Sequence, residues 1–272
     1  MNRYLTIQRL NGQEYILNKQ NGFIVSSFKI SAPSPRIASE YVEGLDGYID
    51  MGADYAERRI ESTLHFLALD EIDYILKRNE IFSIFASKEQ FYVIDSREPG
   101  KRWLVRAEGY SPDLVGSRTG TVNINFISAS TYAESTGTSL DPKTFALGIW
   151  QIGQGLILDE TLYTHTTNTF RIYNPSAVDI DPRNLPLVIT FRGASTNLQI
   201  KNLTTLDFYK YTGSTGTNDK LELSGIRSLK NGVSVFKNTN RKLIKLKSGW
   251  NDFEIIGSSS FSITFDFRFY YL

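Results

Sequence analysis

The sequence predicts a mainly β protein of two domains, and three observations carry that prediction. Aromatic residues are abundant and methionine is scarce, with 17 Phe, 15 Tyr and 3 Trp against 2 Met in 272 residues. Aromatic and β-branched side chains suit a pleated, half-buried surface. The segment Phe261-Ser262-Ile263-Thr264-Phe265-Asp266-Phe267-Arg268-Phe269 alternates large apolar with polar residues along its whole length, which is the period of a strand with one face buried. Residues 131–144, TYAESTGTSLDPKT, are polar and aperiodic, with Gly137 and Pro142 as breakers, a composition that suits an exposed linker. The expected division is a first domain at 1–132, a linker at 133–144 and a second domain at 145–272.

In the first domain, Ile16, Phe23, Ile24, Val25, Phe28 and Ile30 sit in short runs split by the turn signal Asn21-Gly22. Residues 59–66 are rich in strand formers, although their alternation looks broken. The period then changes. Ile72, Ile75 and Leu76 share one helical face, acids open the segment at Asp70 and Glu71, and bases follow at Lys77 and Arg78. That pattern predicts a helix near 70–84. Strands resume at 91–94, at 103–105 and in the alternating run Thr121-Val122-Asn123-Ile124-Asn125-Phe126. The second domain shows short strands at 169–173, 187–191 and 197–200, separated by Asn, Pro, Asp and Gly, and no helical pattern. Many short strands at this spacing predict a β-sandwich.

Bulk charge narrows the function classes. The net charge is +1 and there are no cysteines. A phosphate-gripping protein usually carries a basic excess, and disulfides, thiolate metal sites and thiol catalysis are excluded. The first residues lack the apolar core of a signal peptide, and no run approaches the roughly 20 apolar residues that span a bilayer. The expectation is synthesis in a reducing cytoplasm with no membrane contact.

Motifs for chemistry give little. His65 and His165 are each alone, with no second ligand at metal spacing. Asp70, Glu71 and Asp73 stand where a helix begins, so capping explains them better than acid–base work. Asp179-Ile180-Asp181-Pro182-Arg183-Asn184 lacks the Gly and the closing Glu of a calcium loop and reads as a turn. Gly213-Ser214-Thr215-Gly216-Thr217 lacks the Lys of a phosphate loop and reads as a flexible hairpin tip. The bases of 241–247 read as a solvated strand face. Trp150 and Trp250 suit core or hairpin packing better than stacking on sugar. The chain is expected to be no enzyme, with no cofactor and no metal site.

One stretch is chemically odd. Between Gly44, Gly47 and Gly52 the chain places Leu45, Tyr48, Ile49 and Met51, although a surface turn normally uses polar residues. An apolar, glycine-framed arm is buried against its own core or against a neighbouring subunit. The second alternative places Leu45, Tyr48, Ile49 and Tyr55 at an interface.

The same stretch, Gly44-Leu45-Asp46-Gly47 through Asp50-Met51-Gly52 to Tyr55-Ala56-Glu57-Arg58, resembles the N-terminal domain of the distal tail proteins of phages with long non-contractile tails. Leu45 stands where that family often has a basic residue. The expected helix follows at the right place. Gly249-Trp250-Asn251-Asp252-Phe253-Glu254-Ile255-Ile256-Gly257 and the alternating strand after it are similar to the end of the family's second domain. The resemblance implies a split β-barrel-like domain with one helix, then a galectin-like β-sandwich. It implies a homohexameric ring at the virion tail tip, made in the bacterial host cytoplasm. That ring is a baseplate hub joining the tail tube to the tail-associated fibre or lysin protein and to receptor-binding proteins, and DNA meets it only by passing through the lumen. Two other readings stay open: a carbohydrate-binding module that adheres to host cell-wall saccharide, and a cell-wall hydrolase.

Overall fold

The computed structural model describes residues 3–86, 88–116, 118–144, 148–156 and 161–272. Residues 145–147, where the second domain is expected to begin, lie outside these. The chain divides into two compact units, residues 1–133 with Leu272, and residues 134–271.

The first unit contains β1 (Leu5–Arg9), β2 (Glu14–Leu17), β3 (Phe23–Ile30), β4 (Pro35–Glu40), β5 (Ile49–Tyr55), β6 (Arg58–Leu67), α1 (Glu71–Phe85), β7 (Phe91–Asp95), β8 (Lys101–Ala107), β9 (Asp113–Val115) and β10 (Thr119–Ser128). Hydrogen-bonded neighbours run β2-β1-β7-β8-β10-β6-β3. The path is open, with no ladder joining its two ends among the described residues. It wraps one core built from Leu5, Ile7, Phe23, Ile60, Leu64, Phe66, Phe91, Val93, Ile124 and Phe126. The alternation of β10 buries Val122, Ile124 and Phe126 as the sequence predicts.

The alternation of β6 proves unbroken. Arg58, Ile60, Ser62, Leu64 and Phe66 all face inward. The run 59–66 looks broken in sequence because a serine, Ser62, occupies an inward position. Ser62 is tolerated because its hydroxyl donates to Ser27 O at 3.1 Å, beside the register shift between Val25 and Ser27.

The helix starts as expected. Asp70 caps it by accepting from Asp73 N at 2.8 Å, and Asp73 returns a bond from Leu69 N at 2.8 Å, which together satisfy two free backbone donors. It runs past Lys77 and Arg78 to Phe85, and Arg9 closes it by donating to Ile84 O at 2.6 Å. Its buried face is not the one the sequence suggests. Ile81, Ile84 and Phe85 pack into the core, with Tyr74 stacked on Phe66 at 5.7 Å. Ile72, Ile75 and Leu76 remain exposed.

The second unit begins within β11 (Ala133–Ser135) and continues with β12 (Thr164–His165), β13 (Thr169–Asn174), β14 (Leu187–Gly193), β15 (Ser195–Thr196), β16 (Gln199–Asn202), β17 (Asp207–Lys210), β18 (Ser214–Thr215), β19 (Lys220–Ser224), β20 (Arg227–Lys230), β21 (Val233–Ser234), β22 (Gly249–Ile256), β23 (Phe261–Phe267) and β24 (Tyr270–Tyr271). One sheet runs β12-β23-β14-β19-β20-β21 and the other β13-β22-β16-β17. Their buried faces carry Ile172, Ile189, Phe191, Ile200, Phe253, Ile255, Ile263 and Phe265, the make-up of a β-sandwich.

The stretch expected as a linker carries structure of its own. Ser139 is buried, its hydroxyl donates to Phe265 O at 2.8 Å, and it accepts from Phe267 N at 3.1 Å. Ser135 N donates to Phe269 O at 2.7 Å. The two breakers serve Trp150. A Cβ on Gly137 would lie 2.6 Å from the indole Cζ2, and Pro142 O accepts the indole N–H at 2.9 Å. Polarity here reflects internal hydrogen bonding, not exposure. The 213–217 segment is likewise held, since buried Thr215 donates to Gly193 O at 2.6 Å.

Candidate subunit interface

Among the described residues, β4 and β5 pair only with each other. Their register matches Pro35 with Tyr55, Arg36 with Asp54 and Ile37 with Ala53, and shifts between Ile37 and Ser39. Every residue of both strands, and of the 41–48 loop between them, is exposed. The hairpin is an arm held to the body at its root, where Ala56 N donates to Ser34 O at 2.8 Å and Thr131 Oγ1 donates to Ala56 O at 2.6 Å. Gly44, Gly47 and Gly52 all have positive φ, between 84° and 102°, which explains why glycines frame this stretch. Asp50 adds a local turn by accepting from Gly52 N at 2.9 Å.

The arm is amphipathic at the period of a strand. Ile49, Met51, Ala53 and Tyr55 alternate with Asp50, Gly52 and Asp54. Pairing places Pro35 and Ile37 on the apolar side and Arg36 beside Asp54, at 3.6 Å. All four residues expected at an interface lie on this arm: Leu45 is 52%, Tyr48 48%, Ile49 45% and Tyr55 50% exposed. None of the four enters the core of its own unit. Ile37, Tyr41 and Val42 extend the same surface, with the Tyr41 and Tyr48 rings 6.0 Å apart. Ile37 carries no glycine signal, and only the register of β4 against β5 brings it in. Residues 35–57 hold six acids and one base.

A second apolar surface lies on α1, where exposed Ile72, Ile75 and Leu76 follow exposed Leu69. This is the face the sequence singled out for the core.

The remaining candidates resolve into structural roles. The His165 ring lies against Phe170 at 4.3 Å with Nε2 on Leu162 O at 2.9 Å, and burial lowers its pKa. Trp150 is buried against Phe269. Trp250 is half-buried on the outer side of the β13–β22 pair, 5.0 Å from Tyr173 and under the Arg171 guanidinium at 4.7 Å. In the turn 179–184, Arg183 and Lys245 hold Asp181. No group of three or more His, Asp or Glu residues is placed to hold a metal among the described residues. No described helix is long and apolar enough to cross a membrane.

Residues 10–128 match the family model described as phage tail protein RIFT-related domain. That match spans most of the N-terminal unit. A second likeness is of fold, over nearly the whole chain. The chain is similar to the SPP1 Dit (gp 19.1) protein, described as a paradigm of the hub adsorption apparatus in phages that infect Gram-positive hosts. The two share 15% identity and a TM-score of 0.71 over 97% of this chain and 99% of that one. Chains of the phage p2 baseplate in its activated conformation, one with Sr and one with Ca, match at 11% identity with TM-scores of 0.46 and 0.47. They cover 98% and 99% of this chain and 97% and 98% of their own length. No curated protein matches the chain.

Proposed function

We propose that this chain is the distal tail protein of a phage with a long non-contractile tail, and that six copies close into a ring at the tail tip. The ring joins the tail tube to the tail-associated fibre or lysin protein, passes DNA through its lumen and carries receptor-binding components on its second units. It is made in the host cytoplasm and has no catalytic role. The exposed arm carries this reading. A lone two-stranded hairpin is marginal in water, and this one presents an apolar face that none of the described residues covers. Burial against a second copy gives it the missing layer. The α1 face with Ile72, Ile75 and Leu76 is a different surface of the same unit, so a contact between the two is head-to-tail and closes into a ring when the rotation allows.

Light scattering after size exclusion tests the reading. The expected mass is about six times the 30.9 kDa chain, falling to monomer on dilution. A chain that stays monomeric at high concentration and also in the presence of its tail partners overturns it.

The placement of Trp250 and Tyr173 supports a second reading, saccharide binding by the second unit. Trp103 and Trp150 are buried, so a saccharide on this surface changes mainly the Trp250 fluorescence. Cell-wall polysaccharide that leaves the fluorescence of the whole chain unchanged removes that reading.

A further inference from the structure

Arg58 is the first residue of β6 and follows the arm directly. It is 5% exposed, and its Nε and Nη1 have no hydrogen-bond partner among the described residues. The guanidinium lies over the Trp103 ring at 5.4 Å, a contact that replaces only part of the hydration lost on burial. An arginine cannot escape burial by losing its proton. Arg3 and Arg9 each leave one nitrogen unpaired as well, but both have partners. Arg3 bonds to Asp95 at 3.2 Å, and Arg9 donates to Ile84 O at 2.6 Å. Arg58 has no such compensation. Its neighbour Glu57 cannot supply it, because strand alternation turns Glu57 outward, where it meets Arg59 at 3.7 Å.

The charges of the unit are separated. The arm and its root, residues 35–57, hold Glu40, Glu43, Asp46, Asp50, Asp54 and Glu57 against Arg36, whereas the rest of residues 1–133 holds 14 bases and 11 acids. Of the six acids of the arm and its root, only Asp54 and Glu57 form an ion pair among the described residues. We propose that Arg58 is a receiving group for a carboxylate that the arm of a second copy supplies. The inference rests on the head-to-tail reading above. The part of Arg58 still open to solvent gives access, and the acidic arm of one copy meets a body of opposite sign on the next, which steers their encounter. In the separate chain Arg58 is a buried charge whose Nε and Nη1 have no partner among the described residues, and in the assembly it is half of an ion pair.

The test uses the full chain with Arg58→Met, which keeps similar volume without charge, and Arg58→Lys, which keeps the charge. At concentrations where both are monomeric, Arg58→Met is expected to melt at the same temperature as the natural chain or higher. Its association midpoint moves to at least tenfold higher concentration, and Arg58→Lys falls between the two. Raising salt weakens association of the natural chain more than that of Arg58→Met. Arg58→Met that assembles as tightly as the natural chain overturns the inference and leaves the ring intact. Arg58→Met that melts several degrees lower as a monomer, or fails to fold, also overturns it, because Arg58 is then satisfied inside its own chain. A natural chain that never associates removes the ring and this inference together.

Discussion

Gly120 lies in β10, where a Cβ would come within 2.0 Å of Phe66 Cζ. Phe66 is fully buried and cannot yield. Gly120→Ala therefore overpacks the core and is expected to cost about 3 kcal/mol in urea unfolding. Asp181 is a second residue with a measurable signature. The hydrogen bond from the Arg183 guanidinium holds its carboxyl down at about 2, and Lys245 at 3.6 Å adds to this. An unfolded Asp titrates near roughly 4, so the folded state binds its proton less tightly. The resulting stability is present above that value and is lost as pH falls towards 2. Arg183 is largely solvent-exposed, which screens the pair. Asp181→Asn is expected to lower the melting temperature modestly at pH 7, with the difference from the natural chain closing between about pH 4 and pH 2. A difference that persists unchanged at pH 2 assigns the effect to packing.

At the scale of elements, α1 separates two kinds of apolar residue that look alike in sequence. Ile84 is buried in the core, and Ile84→Ala is expected to cost about 3 kcal/mol. Ile72 is 71% exposed, and Ile72→Ser is expected to change chain stability by less than about 0.5 kcal/mol. Asp70→Ala removes the cap bond and is expected to cost about 1 kcal/mol. Urea titration of the three variants checks the order. The arm behaves differently from all of these. Tyr48 and Ile49 touch no core, so replacing both by Asp is expected to leave the urea midpoint of the monomer unchanged while abolishing association. A fall in that midpoint would mean that the arm is part of the fold of its own chain.

For the whole molecule, the exposed backbone is the arm and not the segment between the two expected domains. Limited proteolysis is expected to cut first within residues 41–48, where Tyr41 is 77% exposed. Residues 135–139 should resist, since buried Ser135 and Ser139 are hydrogen-bonded there. Assembly should protect the arm, so slower cleavage at higher protein concentration follows from the ring reading. Early cleavage inside 135–139 would contradict the packing of that segment. No sequence rule separates these cases. A Ser-, Thr- and Gly-rich stretch has the same composition whether water or protein satisfies its polar groups.

Period carried most of what the sequence determined by itself. The alternation at 121–126 and 261–267 and the caps at Asp70 and Asp73 are local properties, because side-chain direction repeats every two residues in a strand and a cap bond spans three. The oddity of Leu45, Tyr48 and Ile49 between glycines was also legible, since positive φ and misplaced apolar groups are both written in residue type. Which apolar face of α1 meets the core was not legible, because Ile72 and Ile84 differ only in what lies opposite them. The cradle of Gly137 and Pro142 around Trp150, the loneliness of Arg58 and the exposure of the whole arm were decided by tertiary structure alone. Each depends on which distant atoms arrive, or fail to arrive, within a few ångströms.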